Sequence, residues 1–365
     1  MDQALVERVI EMAIAVQQIP APTFSEARRA AFVRQAFEAE RLEDVAIDRT
    51  GNVYARQKGE SSQAPLVISA HLDTVFPVET DLSIRREEER ICAPGIGDNS
   101  LGVAGLFGLV WAIRQERVNP ARDIWLVANV GEEGLGDLSG MRAVVDRFGS
   151  QVTAYLILEG MALGQVYHRA LGVKRYRIAL ETEGGHSWVD YGRPSAVHEL
   201  GKLISQLAAL VLPENPRTTL NVGVIGGGTT VNTIAAQAYL ELDLRSEAVG
   251  AMAELDAQVQ SLVQEAEKPG VRIMKTAIGE RPVGEIPPDH PLVLHAVECL
   301  EAQGLAARLS IGSTDANIPL SRGLPAICIG LTNGGGAHTA AEFIHTQPLA
   351  QGLGQLAELV KRLCR

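Results

Sequence analysis

Four short apolar runs constrain this chain more than any other feature: LVISA (66–70), IWLVANV (124–130), AYLIL (154–158) and AICIGL (326–331). None alternates with polar residues, so each predicts a strand buried on both faces. Such strands belong to a largely parallel sheet covered by helices. The run LGVAGLFGLVWAI, Leu101 to Ile113, falls short of the ~18 residues a membrane span needs. It predicts a buried helix. Near the N-terminus, Val6, Val9, Ile10, Ala13 and Ile14 share one helical face behind early acidic residues, which predicts a docked amphipathic helix rather than a signal peptide. Further helices are expected near 290–303 and 348–364.

The middle of the chain obeys another rule. Tyr176, Ile178, Leu180 and Thr182 alternate with Arg175, Arg177, Ala179 and Glu181, and Leu240, Leu242 and Leu244 alternate with Glu241, Asp243 and Arg245. One face of this second sheet is wet. Between its strands lie two helical patterns. The first is Val197, Leu200, Leu203, Ile204, Leu207 and Leu210 behind a Ser195 cap; the second is Met252, Leu255, Val259, Leu262 and Val263, ending near Pro269-Gly270. The order over 171–280 is therefore β-α-β-β-α-β, the ferredoxin-like pattern. A chain of 365 residues also exceeds what one core usually serves. We expect a discontinuous α/β domain, residues 1–168 and 282–365, interrupted by a smaller domain at 169–281.

Charge narrows the partners. With 44 acidic against 33 basic side chains, a formal net charge of -11 and no basic block, the chain is poorly suited to nucleic acid or an anionic membrane. The four cysteines, Cys92, Cys299, Cys328 and Cys364, lie far apart without a C-x-x-C pair. They predict thiols in a reducing cytoplasm, neither a disulfide framework nor a zinc finger.

Open parallel sheets bind ligands beyond the carboxyl ends of their strands, so the residues just past each apolar run point to chemistry. LVISA leads into His71-Leu72-Asp73, IWLVANV into Glu132-Glu133, AYLIL into Glu159 and AICIGL, after a glycine-rich loop, into His338. Asp98 stands in APGIGDNSLG, just before Asn99 and Ser100 could cap the buried helix. His71 and Asp73 share a face on extended backbone, where the carboxylate can accept the second imidazole N–H and fix its tautomer. Adjacent glutamates point apart, which suits one to a metal and the other to a proton. Asp98, Glu133 and Glu159 bring three negative charges and the two histidines none, so two zinc ions would leave one charge for a hydroxide. With Asp98 bridging, five protein groups give each ion three ligands and an open position, as hydrolytic zinc requires.

The stretches HLDTV, GIGDNS, GEEG, ILEG, GGHS, NVGVIGGGTTVNTIAAQAYLELDLRS, GSTDAN and GGGAHT resemble, in order, the motifs of the cocatalytic dizinc exopeptidase and deacylase family. That family includes glutamate carboxypeptidase, peptidase T, acetylornithine deacetylase, succinyl-diaminopimelate desuccinylase and aminoacylase. The resemblance covers nearly the whole chain. It implies a zinc exopeptidase-like catalytic domain with one zinc on His71, Asp98 and Glu159 and the other on Asp98, Glu133 and His338. Cobalt or manganese could substitute. It further implies that Glu132 is the general base acting on a metal-bridging water, and that Asp73 clamps His71. The inserted domain becomes a lid through which a homodimer forms, with His186 polarising the scissile carbonyl and Asn232 and Arg245 holding substrate.

Simpler roles compete at several positions. Arg245 could form a surface ion pair with Asp243. Thr314 and Asp315 are expected to line the substrate pocket, with helix capping as the plain alternative. GGG at 226–228 is no phosphate loop, because no Lys-Ser/Thr comes after it. A serine hydrolase is disfavoured by the absence of G-x-S-x-G, and a noncatalytic binding protein by Glu132 beside a complete ligand set. Glu159 in place of Asp, together with Arg245, tilts the expectation toward a cytoplasmic hydrolase of N-acyl amino acids or short peptides cut near the C-terminus. Peptidase T-like aminopeptidase activity is the runner-up.

Overall fold

The computed structural model describes residues 1–364 and divides them into two units. One comprises Met1–Ala170 with the chain from Gly284 onward, the other Leu171–Val283. The cuts lie two residues beyond those expected from sequence. Strand Gln165–Ala170 pairs with Ala326–Gly330 and Gly284–Glu285 in the larger unit's sheet, so the chain leaves only after Ala170.

In the larger unit the strands Ile124–Asn129, Leu66–His71, Ala154–Glu159 and Ala326–Gly330 lie side by side in that order. They are parallel throughout. These are the four apolar runs, and all but Trp125 and Glu159 along them are buried. Antiparallel pairing carries the sheet outward to Val53–Gln57 and Glu43–Ile47 on one side and to Gln165–Ala170 on the other. The sheet is mixed but mostly parallel at its centre.

Helix Leu101–Gln115 is buried at every position from Leu101 to Ile113. It packs with Gln3–Gln17 and Leu349–Leu363 into one layer. Gly108 permits the close approach, since a Cβ there would stand 2.7 Å from Val9 Cγ2. Full burial of each Leu, Ile, Val or Phe contributes about 1.5–3 kcal/mol, so this helix ties the layer to the sheet. The N-terminal helix buries Val6, Val9, Ile10 and Ala13, capped by Asp2, whose side chain accepts from the Ala4 N–H. Helices also occupy Pro291–Ala302 and Leu349–Leu363. All four cysteines are free thiols.

The smaller unit holds strands Gly172–Glu181, Thr218–Gly227, Gln237–Ser246 and Arg272–Arg281, with helices Ala196–Ala208 and Val249–Ala266 interleaved as β-α-β-β-α-β. Its sheet is antiparallel throughout. Ile178, Leu180, Leu240, Leu242 and Leu244 meet Leu200, Leu203, Leu207, Leu255 and Val259 in a separate core. Three sequence expectations need correction. Ser195 occupies the N-cap position but makes no capping bond, and the first helix ends at Ala208, which leaves Leu210 outside it. Val197 is exposed. The second helix, Val249–Ala266, ends near Pro269-Gly270 as expected. Periodicity registers a face, but it does not report where a helix leaves its sheet.

Candidate metal centre

Each strand end delivers its side chain to one place. His71 closes its strand with a ring only 1% exposed, and its Nε2 lies 3.1 Å from Asp98 Oδ1 and 3.8 Å from Glu159 Oε2. On the other side, His338 Nε2 lies 3.1 Å from Asp98 Oδ2 and 3.2 Å from Glu133 Oε1. One carboxylate therefore spans two histidines, each with a further carboxylate of its own. His71, Asp98 and Glu133 offer ligand atoms within 4.8 Å of one another. Glu133 Oε1 is buried without a hydrogen-bond donor other than the facing imidazole. Imidazole and carboxylate at these separations are a donor set that fits divalent cations.

Asp73 does more than its expected part. The nearer partner of His71 Nδ1 is the Asp73 main-chain oxygen, at 3.1 Å, while the carboxylate stands 3.6 Å away. That carboxylate instead accepts the backbone N–H of Glu132 at 3.0 Å and of Glu133 at 2.9 Å, with the Thr23 hydroxyl donating at 2.9 Å. Asp73 thus holds the glutamate pair as well as His71. Glu132 is 6% exposed, and its charge helps raise the pKa of Glu133, Glu159 and Asp315.

The Asp98 loop is held from two sides. Glu342, fully buried, accepts the backbone N–H groups of Gly95, Gly97 and Asp98 at 2.7–2.9 Å. Asn99 Oδ1 accepts from Gly102 at 3.1 Å and from Gly160 at 2.9 Å, while its Nδ2 donates to Leu158 O at 2.9 Å. Asn99, not Ser100, therefore serves the buried helix's first turn, and Ser100 Oγ donates to Gly95 O. Position 160 must be glycine: a Cβ would stand 2.1 Å from Gly97 O. Beneath the glutamates, fully buried Arg29 donates to Leu72 O and Ile19 O. Burial lowers its pKa to about 10, against the opposing charges of Asp73 and Glu26.

Sequence reasoning missed Glu342, Thr23 and Arg29, because no local motif distinguishes a buried polar residue from a solvated one. Asp315 is fully buried and accepts from Asn129 Nδ2 at 2.7 Å, and burial, then the nearby charge of Glu132, raises its pKa to about 8. Thr314 closes a local turn: its Oγ1 accepts from Ala316 N, and its N–H donates to Asn317 Oδ1.

Crowded carboxylates set the electrostatics. Burial, then the Asp98 charge, pushes Glu133 up from 4.5 to about 8. Burial also lifts Glu159 to about 7. A hydrogen bond to Asp98 raises His338 from 6.5 to about 9, and Asp98 itself, although burial opposes it, is held below the usual carboxylate range by both histidines. Without a cation, the folded chain holds protons on Glu133 and His338 that the unfolded chain would release. The stability these two confer is complete below the unfolded values. It is lost as pH rises, from 4.5 to about 8 for Glu133 and from 6.5 to about 9 for His338. A cation displaces those protons, so its affinity must climb through the same window. Chelation is expected to lower Tm more at the top of that window than at the bottom. Calorimetry with and without chelator across pH checks this, and a pH-independent difference would contradict it.

The smaller unit holds the other expected residues. His186 Nδ1 accepts the N–H groups of Trp188 at 3.2 Å and Val189 at 3.3 Å, so in the neutral ring the proton sits on Nε2. Asn232 presents its main-chain oxygen to Ser187 N and accepts from Thr230 Oγ1. Arg245 Nε donates to Asp243 Oδ1 at 2.7 Å, and its side chain remains 42% exposed. The rival ion pair therefore exists, with Nη2 also donating to Asp243 Oδ2 at 3.5 Å, and the side chain is only partly covered by it.

Comparison with known proteins agrees with this geometry. The uncharacterized protein YqjE of Bacillus subtilis is 25% identical over 273 residues, 70% of each chain. A probable carboxypeptidase of Arthroderma gypseum is 27% identical over 222 residues, 54% of this chain but only 46% of that protein. The chain thus spans about half the length of such fungal relatives. In fold, the crystal structure of a Staphylococcus aureus tripeptidase matches 99% of both chains with a TM-score of 0.85 at 20% identity. The model of Peptidase family M20/M25/M40 matches residues 67–362, which include every residue of the two-histidine, bridging-aspartate cluster, and the chain belongs to that family.

Proposed function

We propose that the protein is a dizinc hydrolase of amide bonds in short peptides or N-acyl amino acids, with carboxypeptidase or deacylase specificity. The observation that carries this reading is Asp98, whose two oxygens each meet a different histidine at 3.1 Å. His71, Asp98 and Glu159 would hold one ion, and Asp98, Glu133 and His338 the other. Bound there, the metals supply Lewis acidity that makes water a nucleophile near neutral pH and steadies developing negative charge.

The chain's own groups do the rest. Glu132 takes a proton from the attacking water on a carboxylate oxygen and returns it to the leaving nitrogen. Asp73 keeps that glutamate aimed by gripping its backbone N–H. His186, with Nδ1 already accepting two N–H groups, can present only an Nε2–H donor in its neutral form. Such a donor suits a carbonyl oxygen gaining charge, whether in its own subunit or across a lid-mediated homodimer. Arg245, steadied by Asp243, and Asn232 would receive the substrate's terminal carboxylate, the guanidinium by a fork-like pair of bonds.

A matched substrate set tests the specificity: free-acid against C-terminally amidated dipeptides, and N-acetylated against free-amine forms. A site whose donors await a carboxylate discriminates strongly against its absence. Cleavage of free acids with or without acetylation is expected. Efficient cleavage of amidated peptides, with a strict need for a free amino group, would make the enzyme an aminopeptidase instead.

A further inference from the structure

His186 sits on a tip of the smaller unit that is both rigid and apolar. Trp188 is 86% exposed, Val189 76%, Tyr191 90% and Val231 103%. Single exposed apolar residues need no explanation, but four on two joined loops do. The loops are joined by a short ladder, with Gly185 opposite Ile234 and His186 opposite Thr233. Ser187 N donates to Asn232 O at 3.0 Å across the same junction.

The exposure is not that of a loose loop. Asp190 closes the turn twice: its Oδ2 accepts the His186 N–H at 2.8 Å, and its own N–H donates to His186 O at 2.9 Å. Arg193 pairs with its other oxygen at 3.1 Å. Together with the Trp188 and Val189 N–H groups on His186 Nδ1, these bonds make the imidazole the hub of the tip. Gly185 belongs to the same construction, since a Cβ there would stand 2.8 Å from Asp190. The one charged side chain between His186 and Tyr191 is Asp190, and it is already committed.

We infer that Trp188, Val189 and Tyr191 form a specificity wall that selects substrates with an apolar or aromatic side chain beside the scissile amide. The inference rests on His186 acting at the scissile carbonyl. Wherever His186 goes, its hydrogen-bonded neighbours go with it, and successive substrate residues are separated by only ~3.3–3.6 Å. A carbonyl held by Nε2–H therefore brings its flanking side chain to the tip. Indole and phenol rings offer large contact area at low entropic cost. A charged substrate side chain finds no free counter-ion there.

The test is a ratio. The metal-loaded enzyme is assayed on N-acetyl amino acids and dipeptides carrying phenylalanine, leucine, serine or glycine beside the scissile amide. The wild type should favour phenylalanine and leucine, and Trp188→Ala with Tyr191→Ala should cut the Phe/Gly ratio of kcat/KM by about tenfold or more. Val211→Ser, at a side chain 93% exposed elsewhere on the unit, should leave the ratio unchanged. A uniform loss on all substrates, or a change of oligomeric state with the ratio intact, overturns the inference and makes the tip a contact between copies. Inactivity of Glu132→Gln alongside an unchanged ratio would refute the specificity wall alone. Retained activity in Glu132→Gln would refute the catalytic reading beneath it.

Discussion

Replacing Glu132 by glutamine lowers turnover by ~10²-fold or more, with metal content unchanged, if that carboxylate is the general base. The substitution is nearly isosteric at a position only 6% exposed. The backbone N–H that anchors it to Asp73 is untouched. The five side chains assigned to hold the ions are themselves unchanged, so metal content should be retained. Turnover measured beside elemental analysis of the same preparation decides the matter. A variant of near-normal activity removes Glu132 from the mechanism, and one that is inactive but metal-depleted makes it a ligand instead.

Asp98→Ala should cost more, because among the described residues Asp98 alone is seen within 3.1 Å of both histidines. Losing it removes a ligand from each half and leaves His71 and His338 without their shared partner. The lost Lewis acidity, worth several kcal/mol, corresponds to about 10³-fold or more in rate. Metal stoichiometry should fall for both ions. His338→Ala touches one half, so it should spare the ion assigned to His71 and Glu159. Equal, full metal content in the aspartate variant would refute the bridging assignment.

Much of this centre was legible because ligand-bearing residues stand at the ends of strands whose type is written locally. LVISA, IWLVANV, AYLIL and AICIGL carry their own burial pattern, and a parallel sheet aligns their carboxyl ends. His71, Glu132, Glu133 and Glu159 then converge through topology alone. Asp98 and His338 sit on loops, yet each lies in a short glycine-bearing motif. Glu342 is in none, and only tertiary structure shows that it receives three N–H groups of the Asp98 loop. Asp73 shows the same limit: its spacing from His71 was visible, but its grip on Glu132 and Glu133 crosses about 60 residues of chain and has no local signature.

The sequence by itself determined the two kinds of sheet, the insertion of one unit within the other and the side chains that cluster at the candidate metal centre. Periodicity and strand-end chemistry depend on neighbours a few residues apart, which one chain displays in full. Only the tertiary structure decided which buried polar groups hold that centre in place. It decided that Asp315 is buried against Asn129, that Arg245 is tied to Asp243, and that His186 offers its Nε2–H from a stiff apolar tip. Each of these depends on which hydrogen-bond donors and acceptors are brought together by packing, and a buried carboxylate or imidazole takes its role from those partners rather than from its position in the chain.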